Sequence, residues 1–275
     1  MDVMNIAEAL ALARQLISAA EARLLLGHVL GRNSAWIEAH RDDALGETDA
    51  RDFAALVARR AAGEPVAYLL GSREFYGRDF KVSPAVLIPR PDTELLVELA
   101  LAALAGQPSP RVLDLGTGSG CIAITLALER PDARLTAVDA AAAALAVASQ
   151  NAAAFQASVR CLEGEWFAPV GGERFDLIVS NPPYVAAGDR HLGEGDLRFE
   201  PLSALASGAD GLDDIRCIVA AAPAHLESGG CLLLEHGYDQ AAAVVAMLSA
   251  SGFRDVASHP DLAGIPRVTG GRLVR

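Results

Sequence analysis

Across residues 1 to about 74 the apolar positions recur every three or four residues, as in Ile6, Leu10, Ala13 and Ile17, and again in Leu24, Leu25, Val29 and Leu30. That spacing places them on one face of a helix. Gly27, Gly31, Gly46 and Gly63 interrupt the pattern, so the region predicts several short helices and no strand. REFYGRDFKV follows, with Phe75 and Tyr76 facing Phe80 and Val82 across Gly77-Arg78-Asp79, the pattern of a hairpin with a short glycine-containing loop. Such a hairpin is expected to connect two domains. VSPAVLIPRPDTELLVELALAAL then runs through three prolines into a helix that Asp92 or Thr93 would cap.

From Arg111 the period changes. RVLDL, RLTAVD, FDLIVS and CLLLEH read as strands, with another near Val159 to Leu162, and alanine-rich helices are expected near 120–130, 140–154, 211–226 and 239–250. This alternation implies an α/β domain with a parallel sheet covered by helices on both faces. The division expected is a helical region over 1–74, a hairpin linker over 75–90 and the α/β domain over 91–275. In such sheets a ligand lies beyond the carboxyl ends of the strands, so the residues there are the candidates for chemistry.

Composition narrows the function. With 275 residues, 52% of them apolar and 21% charged, the chain can bury a large core and is not a disordered or fibrous protein. The net charge of -12 arises from 35 acidic against 23 basic side chains, and the first 74 residues carry eight arginines against eleven acids, so direct nucleic-acid binding is not expected. Lys81 is the one lysine, and no Gly-Lys-Ser/Thr occurs, which excludes a P-loop nucleotide hydrolase. Cys121, Cys161, Cys217 and Cys231 lie far apart, without a paired-cysteine motif or a nearby histidine pair. They read as reduced core thiols, not as a zinc site or a disulfide framework. The amino-terminal segment lacks a basic stretch before an apolar one, and the uncharged run 140–159 contains Ser149, Gln150, Asn151 and Gln156. No membrane association, a cytoplasmic location and a monomer are expected.

The first strand of the α/β region ends in Asp114-Leu115-Gly116-Thr117-Gly118-Ser119-Gly120 and passes directly into CIAITLALE. Alternating glycines let the backbone turn sharply and approach a ligand. The acid before them would repel a pyrophosphate but accept hydrogen bonds from an ammonium group, such as the amino-acid end of S-adenosylmethionine. Asp139 ends the next strand, where a carboxylate takes the hydroxyls of a ribose or, alternatively, caps the following helix. Trp166, after Glu165, flanks an adenine ring or else packs in the core.

FDLIVS delivers Asn181-Pro182-Pro183-Tyr184. Two successive prolines cannot continue a central strand, so the chain leaves the sheet at its ligand edge. There the Asn181 side-chain oxygen and the Pro182 carbonyl suit the two N–H bonds of a planar NH2 group, with Tyr184 packed on its flat face. A nitrogen held in this way against a methyl sulfonium needs no strong general base.

On these motifs the chain resembles the HemK/PrmC family of glutamine N5-methyltransferases. The resemblance spans nearly the whole chain: the helical amino-terminal region, REFYGRDFKV, LIPRPDTE, DLGTGSG, VSNPPY, the RFEP segment at 198–201 and LLLEHG at 232–237. It implies a Rossmann-like class I methyltransferase sheet, S-adenosyl-L-methionine as cofactor, and as partner a class I peptide-chain release factor presenting its Gly-Gly-Gln loop to a helical docking domain. By the resemblance Gly116, Thr117, Gly118, Ser119, Gly120, Asp139 and Trp166 contact the cofactor. Asn181 binds cofactor and substrate, Pro182, Pro183 and Tyr184 bind the glutamine, and Asn181, Pro182 and Tyr184 carry the chemistry. In DLAGIPRVTGGR the chain departs from the family's pattern at Ile265 and Pro266, where a polar residue is expected.

Two alternatives remain open from sequence: an adenine-N6 methyltransferase, which shares Asn-Pro-Pro-Tyr but calls for a basic, aromatic-lined groove, and a non-catalytic adaptor for a translation factor. None of the six histidines is paired at metal-ligand spacing, and His236, at a strand end, reads as a packing or hydrogen-bonding residue. The segment Gly188 to Glu200 is consistent with a lid or with a plain solvated loop.

Overall fold

In the computed structural model, residues 4–274 are described, and they form two compact units, one up to Ser72 and one from Arg73 onward. The first unit is built from α1 (Ile6–Ala13), α2 (Ala19–Leu30), α3 (Ser34–Ala39), α4 (Glu47–Ala61) and α5 (Val66–Leu70). Asn5 with Glu8 and Ser18 with Glu21 form capping boxes that satisfy the first free N–H groups of α1 and α2. Leu10, Leu25, Leu26, Ile37 and Phe53 fill the centre. Leu24, placed on the inner face by its spacing, is 48% exposed, because the buried stripe of α2 runs through Ala22, Leu25 and Leu26.

The hairpin of β1 (Ser72–Phe75) and β2 (Arg78–Lys81) turns at Tyr76 and Gly77, whose φ angles are 52° and 73°. The loop is therefore the two residues 76–77, not the expected 77–79, and Arg78 and Asp79 lie in the second strand. Two left-handed residues match the right-handed twist of paired strands. The backbone N–H groups of Tyr76 and Gly77 donate to the carboxylates of Glu94 and Glu74. Phe75 and Phe80 pack edge to face at 6.1 Å, and the buried Asn151 side chain accepts from the Lys81 N–H and donates to the carbonyls of Lys81 and Ser119. The hairpin is thus anchored within the second unit.

The remainder runs α6 (Glu94–Ala103), β3 (Arg111–Leu115), α7 (Cys121–Glu129), β4 (Arg134–Asp139), α8 (Ala142–Phe155), β5 (Val159–Glu163), β6 (Phe175–Ser180), α9 (Asp213–His225), β7 (Leu226–Glu235), α10 (Ala241–Ala250), β8 (Phe253–Pro260) and β9 (Pro266–Leu273). No side chain caps α6. A short 3-10 turn over Pro91–Thr93 leads into it instead, which leaves the Thr93 hydroxyl for another partner. The sheet order is β5-β4-β3-β6-β7-β9-β8. Its parallel part is covered on both faces, as the alternation of residues shows: Leu113, Leu115 and Ile178 join one core, Val112, Leu177 and Val179 the other.

The sheet is mixed, not wholly parallel, since β9 pairs antiparallel with β7 and with β8. FRDVASHP and PRVTGGRL, half polar and interrupted by two glycines, carry no apolar run that marks them as strands. Of the departing residues, Ile265 ends their connection and Pro266 opens β9. Its tip is closed by the Asp261 N–H donating to the Ile265 carbonyl, while Asp261 Oδ1 accepts from the Ala263 and Ile265 N–H groups.

Strand order reverses between β3 and β6, the position at which a doubly wound sheet opens a crevice. Leu115 and Ser180 are register partners there, and the Ser180 hydroxyl donates to the Leu115 carbonyl at 2.7 Å. Gly116 and Asn181 therefore leave the sheet side by side.

Candidate active site

The three loop glycines have φ of 70°, 55° and 81°, left-handed values that carry strain for any residue with a Cβ. Their surroundings differ. A Cβ on Gly118 would meet nothing within 4 Å, and one on Gly116 would only touch the Trp166 ring at 3.6 Å, so these two present a bare backbone edge. A Cβ on Gly120 would come within 2.8 Å of Ile124 Cδ1 and 3.2 Å of Ala148 Cβ, so Gly120 brings α7 close to α8 and lies off the cavity wall. Gly120→Ala is expected to cost about 1–3 kcal/mol from overpacking and backbone strain. Urea unfolding measures it, and an unchanged midpoint would contradict this account of the residue.

Asp114 is fully buried and stands behind the wall of the cavity, not on it, so it does not offer its carboxyl to a ligand's ammonium group as its position in the motif suggests. The Thr117 hydroxyl donates to its Oδ2 at 2.7 Å, while Oδ1 has no partner. Burial, the largest cause, pushes this carboxyl up from 3.8 to about 7. The folded chain then keeps a proton that the unfolded chain releases across this window, so the contribution to stability is full at the acid end and is lost as pH rises toward 7. Asp114→Asn is expected to narrow the difference between urea midpoints measured at about pH 5 and about pH 8; an unchanged difference would show that Asp114 does not titrate in this window.

Gly116, Thr117, Gly118, Ser119, Asp139, Trp166, Asn181 and Pro183 line one cavity of about 470 Å³, which Arg90 and Thr93 also border. The sequence candidates Pro182 and Tyr184 lie next to this wall but outside it. Asp139 Oδ2 accepts from the Gly118 N–H at 2.8 Å and Oδ1 from the Ala141 N–H at 2.9 Å. The carboxylate thus braces the glycine loop and the entry to α8 together, and each oxygen retains capacity for another donor. A bare glycine edge, an acidic acceptor at the end of β4 and an indole beside the loop fit the sugar and base of an adenosyl group.

The Asn181 amide donates through Nδ2 to the Thr93 hydroxyl at 3.2 Å, while Oδ1 has no partner. An unpaired buried acceptor is costly, and at a cavity wall it suits a ligand N–H. Behind Asn181 lies Glu235, 1% exposed, which accepts the Tyr184 hydroxyl at 3.3 Å. Burial raises Glu235 to about 7 and, with the nearby Glu235 carboxyl, raises the Tyr184 phenol as well. Arg90 pairs at 2.6 Å with Glu200, whose side chain is wholly buried, so the segment after β6 is fastened at the end of the expected lid.

Reasoning from single residues missed Thr93, Glu200, Glu235 and Arg90 as parts of the site. Their signal was the pair of stretches LIPRPDTE and RFEP, together with the acid of LLLEHG. His236 has both ring nitrogens satisfied, by the Gly237 carbonyl and the Thr269 hydroxyl, in keeping with a structural role. The cysteines are free, but Cys217 is exposed and borders the cavity, and Cys161 is half-buried, so the expectation of core thiols holds only for Cys121 and Cys231. No group of acids, histidines and cysteines among the described residues is arranged to hold a metal ion, and no described helix is long and apolar enough to cross a membrane.

Residues 91–194 match the Methyltransferase small domain family and residues 5–71 the PrmC N-terminal domain family. The chain is 55% identical to the release factor glutamine methyltransferase of Bordetella pertussis, the match covering 92% of this chain and 94% of that one. It is 46% identical to the release factor glutamine methyltransferase of Escherichia coli, over 92% of this chain and 91% of that one. Among solved structures, the T. thermophilus 16S rRNA N2 G1207 methyltransferase in complex with AdoMet and guanosine matches with a TM-score of 0.55 at 22% identity, over 74% of this chain and 49% of that one. A methyltransferase from Pyrococcus furiosus matches with a TM-score of 0.54 at 18% identity, over 79% and 98%. The structural likenesses establish the class I methyltransferase fold.

Proposed function

The chain belongs to the family of release factor glutamine methyltransferases, and on that premise we propose that Asn181, Pro182 and Tyr184 present the side-chain amide of a release-factor glutamine to a methyl donor held by Gly116, Thr117, Gly118, Ser119, Asp139 and Trp166. The enzyme is an S-adenosylmethionine-dependent methyltransferase acting on release factors. The nitrogen methylated is N5 of the glutamine in the Gly-Gly-Gln loop of a class I factor. The helical region 1–74 supplies the docking surface, and the chain acts as a cytoplasmic monomer without direct contact to nucleic acid or membrane.

When bound, S-adenosylmethionine supplies a methyl group on a sulfonium whose departure leaves a neutral thioether. What the chain adds is position. Asn181 Oδ1 and the Pro182 carbonyl accept the two N–H bonds of the amide, which fixes the plane of the nitrogen and stabilises the positive charge that gathers on it during attack. Pro182 and Pro183 hold these acceptors rigid by restricting the backbone, and Tyr184, fixed through its hydroxyl to Glu235, packs on the amide plane. Gly116 and Gly118 let the donor approach the backbone, and Asp139 takes the ribose hydroxyls. Orientation of this kind is worth about 7–11 kcal/mol of barrier, so the arrangement needs no strong base to extract a proton before transfer; the N–C bond forms as the S–C bond breaks, and the nitrogen then releases one of its two protons to solvent.

The observation that carries the reading is the unpartnered Asn181 Oδ1 just past the end of β6, beside the strand that delivers the glycine loop. Its test is incubation of the purified chain with labelled methyl donor and, separately, a release factor, a variant of that factor with the loop glutamine replaced, and duplex DNA. Label in the first alone is expected. Label in DNA, or in the variant factor at an equal rate, would overturn the assignment.

A further inference from the structure

Asp114, the acid that the glycine motif offers to the donor's ammonium group, stands behind the cavity wall. The partners of the donor's amino-acid end, an α-ammonium and an α-carboxylate, are therefore to be found on the wall itself. Among the described residues that line the cavity, Asp139, Glu165 and Asp214 are acids and Arg90 is the one cation. A carboxylate entering such a cavity is repelled by most of its charged groups and drawn to that guanidinium.

Arg90 is also held in place. Its Nη2 donates to Glu200 Oε1 at 2.6 Å, and the Glu200 side chain is wholly buried. Glu200 Oε2 has no partner, so the two groups meet at one corner and not fork to fork, and the other N–H groups of Arg90 remain for a second acceptor. The Arg90 carbonyl accepts from the Thr93 N–H at 3.1 Å and closes the short turn Pro91–Thr93. The Thr93 hydroxyl in turn accepts from the Asn181 amide at 3.2 Å. Arg90 thus stands one turn away from the residue that meets Asn181, on a segment separate from the one that carries Asp139.

The donor's sulfur bears three branches: the methylene of the ribose, the methyl group and the amino-acid chain. With the ribose at Asp139 and the methyl at Asn181, the third branch leads away from both. Resting on that placement of the donor, we propose that Arg90 takes the α-carboxylate of S-adenosylmethionine through the N–H groups that Glu200 leaves free, and that Glu200 is a positioning residue that aims the guanidinium. A guanidinium suits this double duty because its N–H groups diverge from one rigid plane, so that one corner stays on Glu200 while another meets the ligand. Pro89 and Pro91 restrict the backbone on either side of it.

The test is a titration of donor binding without a release factor. It compares S-adenosylmethionine, its decarboxylated analogue, and methylthioadenosine, which keeps the adenosyl half and lacks the amino-acid end. R90Q alone would leave the buried Glu200 without its partner, so the main comparison is the double variant R90Q/E200Q, which removes both charges. The wild-type enzyme is expected to bind the decarboxylated analogue about 10- to 100-fold more weakly than the intact donor, the size of a hydrogen bond to a charged group. The double variant is expected to bind these two within about threefold of each other, and methylthioadenosine within about twofold of the wild type. E200Q, which keeps Arg90 and loosens its anchor, is expected to discriminate less than the wild type and more than the double variant. Undiminished discrimination in the double variant would put the carboxylate on the backbone of the glycine loop and overturn the assignment. Equal binding of both donors by the wild type, or weakened methylthioadenosine binding in the double variant, would overturn it as well, and an E200Q enzyme that discriminates like the wild type would remove Glu200 from it. A wild-type chain that discriminates as expected but methylates no release factor would instead overturn the substrate reading, with the comparison at Arg90 unaffected.

Discussion

Asn181→Ala is expected to lower turnover on a release factor by about 100- to 1,000-fold, the usual effect of removing one preorganised polar contact to developing charge. In the proposed arrangement the variant loses one of the two acceptors for the amide nitrogen, while the other, the backbone carbonyl of Pro182, remains. Because Asn181 borders the donor side of the cavity as well, a small change in donor affinity is expected, of no more than a few-fold, so that the loss appears mainly in kcat. Single-turnover methylation at saturating donor and factor separates the two. Turnover near that of the wild type would remove Asn181 from the chemistry.

Asp139→Ala is expected to produce the second large effect, on the donor instead. The carboxylate now accepts from the Gly118 and Ala141 N–H groups, so the variant loses a ligand acceptor and also the brace that holds the glycine loop against the start of α8. A hydrogen bond to a charged group is worth about 1.5–3 kcal/mol, which corresponds to roughly 10- to 150-fold weaker binding of S-adenosylmethionine. Titration calorimetry reads this directly, and high donor concentration restores much of the turnover. A Kd within twofold of the wild type would show that Asp139 serves only the loop.

The parts of the fold legible in the sequence are those with strong periodicity. RVLDL, RLTAVD and FDLIVS are strands with the bounds expected, because each is a β-branched or leucine-rich run closed by a turn residue. The carboxyl-terminal strands were not legible: Gly270 packs against β7, where a Cβ would come 2.3 Å from Leu233 Cδ2, so glycine is needed at the position where a strand reader expects a side chain. The hairpin turn starts one residue earlier and ends two residues earlier than expected because Tyr76, a bulky residue, occupies a left-handed position that composition assigns to glycine or asparagine.

The site was legible where one residue type announces its chemistry beside a strand end, as with the glycine loop, Asp139 and Asn181. It was not legible where function depends on contacts between distant segments. Thr93 looks like a helix cap until its hydroxyl is found against Asn181, 88 residues further along the chain. Glu200 and Arg90, 110 residues apart, are unremarkable surface types until their pairing buries one of them. Asp114 shows the opposite case: the motif suggests a ligand contact, whereas burial behind Thr117 turns it into a support.

The central claim is that the amide oxygen of Asn181 is the free acceptor that takes the glutamine NH2. The most direct measurement is a crystal structure of the enzyme with the demethylated cofactor product and a release factor or its Gly-Gly-Gln loop. The glutamine N5 is predicted to lie within about 3.2 Å of Asn181 Oδ1 and of the Pro182 carbonyl oxygen. A glutamine nitrogen held more than about 4 Å from Asn181 Oδ1, with its N–H groups taken up by other side chains, would contradict the account.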